Sequence, residues 1–148
     1  MVKQRLEDDF RKTIKERYKD YYVMKLQVNP LAHTSAPADF LLLNESNNYL
    51  VECKQCNDDR FKYDRLTQLD KMIEFENKLS KNYSYVLIMF YSGRLNTSDV
   101  YMLPVDYIKK YLKRCKRKSV SKVNAELYWK DYKVEIEKGG IINIDDYV

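Results

Sequence analysis

The apolar positions of this chain fall into segments with a helical period and segments with the period of a strand. Over residues 4–19, Leu6, Phe10, Ile14 and Tyr18 recur every three to four positions, with Arg17 and Tyr21 on the same side, and predict an amphipathic helix. Residues 23–28 alternate apolar with polar and predict a strand that Asn29-Pro30 ends. A β-hairpin follows, because the apolar runs 40–43 and 49–53 flank Glu45-Ser46-Asn47-Asn48, a cluster of turn formers. Residues 58–81 predict one long helix, capped by Asp58 or Asp59, with Leu66, Leu69 and Ile73 on one stripe and Gln68, Met72, Phe75 and Leu79 on another. Residues 83–91 are continuously apolar, as expected of a strand covered on both faces. A short strand over 99–103, closed by Pro104, leads into a helix marked by Val105, Ile108, Leu112 and Cys115. The tail from 125 predicts a short helix and an extended piece laid over the core. This succession predicts an α/β fold: a central mixed β-sheet flanked by helices, in a single domain over residues 1–148.

Composition supports one compact unit. The chain has 148 residues, 45% of them hydrophobic, and only 3 Gly and 3 Pro, which argues against a loop-rich or disordered chain. The amino terminus opens on charged residues and the longest apolar run is far too short to span a bilayer, so a soluble, cytoplasmic protein without a membrane partner is expected. Cys53, Cys56 and Cys115 are read as free thiols. Cys53 and Cys56 have C-x-x-C spacing, yet there is no second pair and His33 is the lone histidine, so core packing is preferred to structural zinc or thiol redox.

Charge changes the picture more. Basic residues number 27 against 22 acidic, a net of +5. Seven basic side chains crowd into ten positions: Lys109, Lys110, Lys113, Arg114, Lys116, Arg117 and Lys118. Such a block is often just solvated surface, but a phosphate backbone is its natural partner, and DNA is the expected one.

The hairpin holds the candidate chemistry. Side chains alternate across a strand, so Leu50, Glu52 and Lys54 share one face and Tyr49, Val51 and Cys53 the other. With the turn centred near Ser46, the antiparallel partner of Glu52 lies close to Asp39, and two carboxylates converge with an amine. Asp39 and Glu52 would supply hard oxygen ligands to Mg²⁺, which prefers one or two carboxylates plus waters and phosphate oxygens. Lys54 would orient the attacking water or neutralise charge building on the phosphorane. A surface hairpin with an ordinary Glu/Lys pair is the other reading of the same residues. Glu7 falls within the apolar stripe of the first helix, whereas Glu16 lies near its solvated face. On spacing alone Glu7 is equally a helix-edge glutamate near the positive end of the dipole. His33, in the loop ahead of Asp39, is read as solvated rather than as a general base.

Pro37-Ala38-Asp39 and Glu52-Cys53-Lys54 resemble the two halves of the PD-(D/E)XK nuclease motif. Within that group the chain resembles Holliday-junction resolvases of the RecU type, and more loosely the archaeal Hjc type, with a restriction-endonuclease-like core. Lys118-Ser119-Val120 and Asp146-Tyr147 add to the RecU likeness. The resemblance implies that Glu7 reaches the metal from the first helix and that the Cys53 backbone carbonyl joins Asp39 and Glu52 as a ligand. It also implies that Gln68 positions the water or the phosphate and that Ser35 lies near the scissile phosphate. One departure stands out: RecU proteins insert a sizeable stalk before the motif aspartate, whereas only residues 31–37 stand there in this chain.

The expected activity is that of a Mg²⁺-dependent endonuclease, with Mn²⁺ as substitute, cutting four-way DNA junctions as a homodimer. A restriction- or repair-like nuclease of the same fold, phage-borne in one version, and a catalytically silent DNA-binding module are the alternatives.

Overall fold

The computed structural model describes residues 5–26, 36–92 and 97–148. Six strands form the central sheet in the order β1-β2-β3-β5-β6-β8. They are β1 (Tyr22–Lys25), β2 (Phe40–Leu43), β3 (Asn48–Cys56), β5 (Asn82–Ser92), β6 (Thr97–Pro104) and β8 (Lys133–Val134). Among the described residues β3 and β5 pair in parallel and the other neighbouring pairs of this sheet are antiparallel, which makes the sheet mixed.

Two layers of side chains follow from the alternation along β5. Val86, Ile88 and Phe90 point to one face, where they pack with α2 (Leu69–Lys78), α3 (Val105–Arg114) and α4 (Lys122–Tyr128) through Met72, Ile108 and Ala125, and with Trp129 just beyond α4. Leu87 and Met89 point to the other, covered by Leu6, Phe10 and Ile14 of α1 (Leu6–Arg17) and by Ile142 and Ile144. The unbroken apolar run of this strand is thus explained by burial on both faces. The same alternation sends Cys53 and Cys56 to opposite faces, each buried, so the C-x-x-C pair cannot converge on one ion or one bond.

The hairpin turn is built by Asn44, whose Oδ1 accepts from the N–H groups of Ser46 and Asn47 at 2.8 and 2.6 Å. An Asx turn of this kind fixes the register. Phe40 pairs with Val51 and Leu43 with Asn48, so β3 begins one residue earlier than the apolar pattern indicates.

The single long helix expected over 58–81 is not formed. Arg60–Lys62 is instead a strand, β4, paired antiparallel with β7 (Ser119–Ser121). A 3-10 turn, Tyr63–Arg65, follows, and α2 starts only at Leu69. Asp58 and Asp59 therefore start no helix of their own; the Asp59 carbonyl instead accepts from the Lys122 N–H, the first of α4, next to the β4–β7 ribbon. The cause is long-range pairing: Phe61 and Val120 face each other across the ribbon and bury their side chains, a gain that local helical spacing does not register.

The C-terminal segment closes over α1. The strands β9 (Ile136–Glu137) and β10 (Ile141–Ile142) pair with each other. Thr13 Oγ1 accepts from the Ile142 N–H at 3.0 Å, the Tyr18 hydroxyl donates to Asp145, and Arg17 bonds to the Asp145 carboxylate at 2.9 Å and pairs with Glu137. Among the described residues, no helix is long and apolar enough to cross a membrane.

Candidate functional site

β2 begins only at Phe40 while β3 runs on to Cys56, so among the described residues the edge of β3 beyond Val51 has no strand partner on that side. Asp39 fills this role with its side chain: its Oδ2 accepts from the Cys53 N–H at 2.8 Å. Its own carbonyl accepts from Leu26 N–H at 2.7 Å, on the β1 side. Because the N–H and C=O of one strand residue point to the same edge, the Cys53 carbonyl also faces Asp39.

Extending the observed register by one residue places Asp39 opposite Glu52. Glu52 is 5% exposed, and Lys54 Nζ lies 3.5 Å from its Oε2. Burial above all, with hydrogen bonding to and repulsion from the Asp39 carboxylate, raises the Glu52 carboxyl to about 8, and the nearby Lys54 only partly offsets this. A buried carboxyl raised this far beside a second carboxylate is the kind of perturbed group that clusters at functional sites.

These groups open into a cavity of about 300 Å³ whose lining also includes Glu7, Gln55, Arg65 and Gln68. Glu7 enters from the first turn of α1 and is paired with Lys25 of β1. Glu16 lies on the exposed side of the same helix, away from this cavity. Gln68 sits at the residue before α2, its carbonyl accepting from the Met72 N–H, so it belongs to the helix start rather than to a mid-helix stripe. Ser35, like His33, lies outside the described residues.

Three contributors escape the sequence pattern. Gln55 Oε1 accepts from the Arg5 and Leu6 N–H groups at 2.8 and 3.0 Å, capping α1 from the strand that carries Glu52 and Lys54. That contact sets the first turn of α1, and Glu7 with it, beside the carboxylates. Lys25, predicted only as a strand position, holds Glu7. Arg65 brings a guanidinium into the lining, seated 5.2 Å over the Phe61 ring, from a turn that the expected long helix conceals.

Among the described residues, no three His, Cys, Asp or Glu side chains gather closely enough to make a three-ligand metal cluster. The donor set is nevertheless that of a hard cation that keeps most of its waters: two adjoining carboxylates, with a backbone carbonyl on the same edge. A divalent ion there would offset both the burial and the Asp39 repulsion that raise the Glu52 carboxyl.

The basic block lies elsewhere. Lys109 is paired with Asp70 at 2.9 Å. Lys110, Lys113 and Arg114 stand on α3, and Lys116, Arg117 and Lys118 on the connection to β7. Lys110, Arg114, Lys116 and Arg117 line a second cavity, of about 510 Å³. Tyr63 lines that cavity and Arg65, two residues on, lines the acidic one, so the 3-10 turn adjoins both.

The sequence matches no family model, and no curated protein matches it. Among solved structures the chain is similar to Archaeoglobus fulgidus Hjc, a Holliday junction resolvase from an archaeal hyperthermophile, at 15% identity. That alignment covers 68% of this chain and 75% of the other, with a TM-score of 0.43.

Proposed function

We propose that this protein is a divalent-metal-dependent DNA endonuclease, in its most specific form a Holliday-junction resolvase that cuts four-way junctions. The observation that carries the reading is the meeting of Asp39, Glu52 and Lys54 just ahead of the start of β2, with the Glu52 carboxyl raised to about 8. An ordinary surface Glu/Lys pair would be solvated and would leave no such mark.

Asp39 and Glu52, with the Cys53 carbonyl, would hold Mg²⁺ or Mn²⁺, and Glu7 would join them on leaving Lys25. The bound ion supplies a lowered pKa for its water and charge neutralisation on the scissile phosphate. The protein's own groups do the rest. Lys54, anchored on the rigid central strand beside Glu52, offers a positive charge where negative charge builds on the phosphorane oxygens. Gln68, at the start of α2, supplies an amide to orient the attacking water or a phosphate oxygen. Arg65 adds a second cation to the lining and would draw the phosphate inward. The basic face of α3 and its following loop takes the flanking backbone. Symmetrical cutting of a junction needs two such sites related by a twofold axis, hence a homodimer.

The test compares a labelled four-way junction with a matched duplex, first in EDTA across a salt series and then with Mg²⁺ or Mn²⁺. Salt-sensitive binding with cutting of the junction in preference to the duplex is expected. Cutting of duplex alone would replace the resolvase by a restriction- or repair-like nuclease. Binding without cutting under either metal would leave a DNA-binding module.

A further inference from the structure

The 510 Å³ cavity beside α3 is within the size range of small-molecule ligand sites, about 300–1,000 Å³. Its walls combine two chemistries. Tyr63, Tyr107, Tyr111 and Tyr128 supply aromatic rings, and Arg60, Lys110, Arg114, Lys116 and Arg117 surround them with cations.

The rings are held in place. Tyr63 and Tyr111 share a hydrogen bond of 2.5 Å between their hydroxyls, and Tyr111 packs edge-on against the buried Trp129. Tyr107 lies nearly parallel to Tyr111, at 25° with centroids 6.1 Å apart, and its hydroxyl donates to the Tyr128 carbonyl at 3.4 Å. Tyr128 itself is 52% exposed. The floor is closed by the β4–β7 ribbon, tied by the hydrogen bond from Arg60 to Ser119 Oγ.

The cations are available. Among the described residues, no carboxylate lines this cavity, and Lys110, Arg114, Lys116 and Arg117 form no ion pair. Lys109, by contrast, faces Asp70 and is absent from the lining. A ligand that fits must offer a flat, stackable ring and more than one negative charge, and a nucleotide within a strand offers both. A regular duplex keeps the faces of its bases stacked inside and presents only its backbone and the base edges of its grooves to such a wall.

We propose that this cavity receives an unpaired nucleotide of a nucleic-acid strand, its base against Tyr107, Tyr111 and Tyr128 and its phosphates on Lys110, Arg114 and Arg117. The inference takes from the proposed function only that the partner is a nucleic acid; it needs no metal and no cutting. It gives the protein a means of preferring DNA with unpaired positions, such as a branch point or a frayed end, over continuous duplex.

The experiment measures fluorescence anisotropy of the full chain in EDTA with three labelled probes: a dT 12-mer, an abasic strand of the same length and charge, and a 12-base-pair duplex. The dT 12-mer is expected to bind about tenfold more tightly than the abasic strand, the increment of stacking a base on an aromatic ring. Tyr128→Ala should remove most of that difference while leaving abasic binding unchanged, and Arg114→Glu should weaken both. A 4-thiothymidine strand photo-crosslinked to the unaltered protein should attach within residues 107–128, which tests the placement without any substitution. Equal affinity for dT and abasic strands, duplex bound as tightly as dT, or crosslinks confined to other segments would overturn the proposal. Junction cutting with equal dT and abasic binding would remove this cavity alone. Base-dependent binding without metal-dependent cutting would remove the nuclease reading alone.

Discussion

The Asp39 carboxylate takes the place of a missing strand residue opposite Cys53, accepting the hydrogen bond that β2 would have accepted had it continued. One side chain therefore has a structural duty and a candidate chemical one, and substitutions separate them. Asp39→Asn keeps an acceptor for the Cys53 N–H and Asp39→Ala does not, while both remove the charge. We expect the alanine variant to be less stable than the asparagine variant by about 1–2 kcal/mol in metal-free urea denaturation, the cost of an unpartnered N–H. Both should lose metal-dependent cutting alike.

The Glu52 carboxyl gives a pH dependence with a definite sign. Its folded-state value is raised from 4.5 to about 8, so between those values the folded protein retains a proton that the unfolded chain has released. Raising the pH through that window therefore destabilises the metal-free protein. Glu52→Gln should flatten the fall, and the difference between the two stability profiles, followed by thermal melting from pH 4.5 to 8, is the measurement. Mg²⁺ should raise the melting temperature of the unaltered protein most at the upper end, where no proton has to be displaced from Glu52. Parallel profiles for the two proteins would show that Glu52 does not titrate as described.

Lys54 is separable from binding. Lys54→Ala should bind a four-way junction with unchanged affinity in EDTA and lose roughly 100-fold or more in cutting rate, as expected when a preorganised charge partner of the transition state is removed. Single-turnover cleavage set beside anisotropy checks both halves. Equal losses in binding and cutting would make Lys54 a contact to the DNA backbone instead.

Gln55 ties helix to strand. Gln55→Ala leaves the Arg5 and Leu6 N–H groups without the Oε1 acceptor, and we expect a loss of about 1–2 kcal/mol, comparable to the removal of a helix cap. Amide exchange in α1 should rise more than in β5. An unchanged exchange pattern in α1 would show that the helix start is held by other contacts.

Much of this arrangement was legible from residue patterns. The turn cluster at 45–48 predicts a register that places Asp39 against Glu52, and the observed pairing of Phe40 with Val51 agrees with it. The apolar run of β5 and the stripe of α1 are equally direct, since each is dictated by period and burial. The break in the expected 58–81 helix was hidden because β4 finds its partner some sixty residues away in β7, and no local window contains both. Gln55 was hidden for the same reason, its role being set by a helix fifty positions earlier. Gln68 was drawn to the right region by its spacing but to the wrong part of the helix, since the stripe it shares with Met72 begins one residue before the first turn.

The clasp between α1 and the C-terminal segment has a kinetic side. Thr13, Arg17 and Tyr18 close on Ile142, Ile144 and Asp145, loops of more than a hundred residues that are costly to close early. During synthesis the helix that presents Glu7 has no lid over its apolar stripe until Ile142 and Ile144 emerge from the ribosome. The helix is thus tied at its start by Gln55, from the early part of the chain, and sealed along its apolar stripe only when the last part arrives.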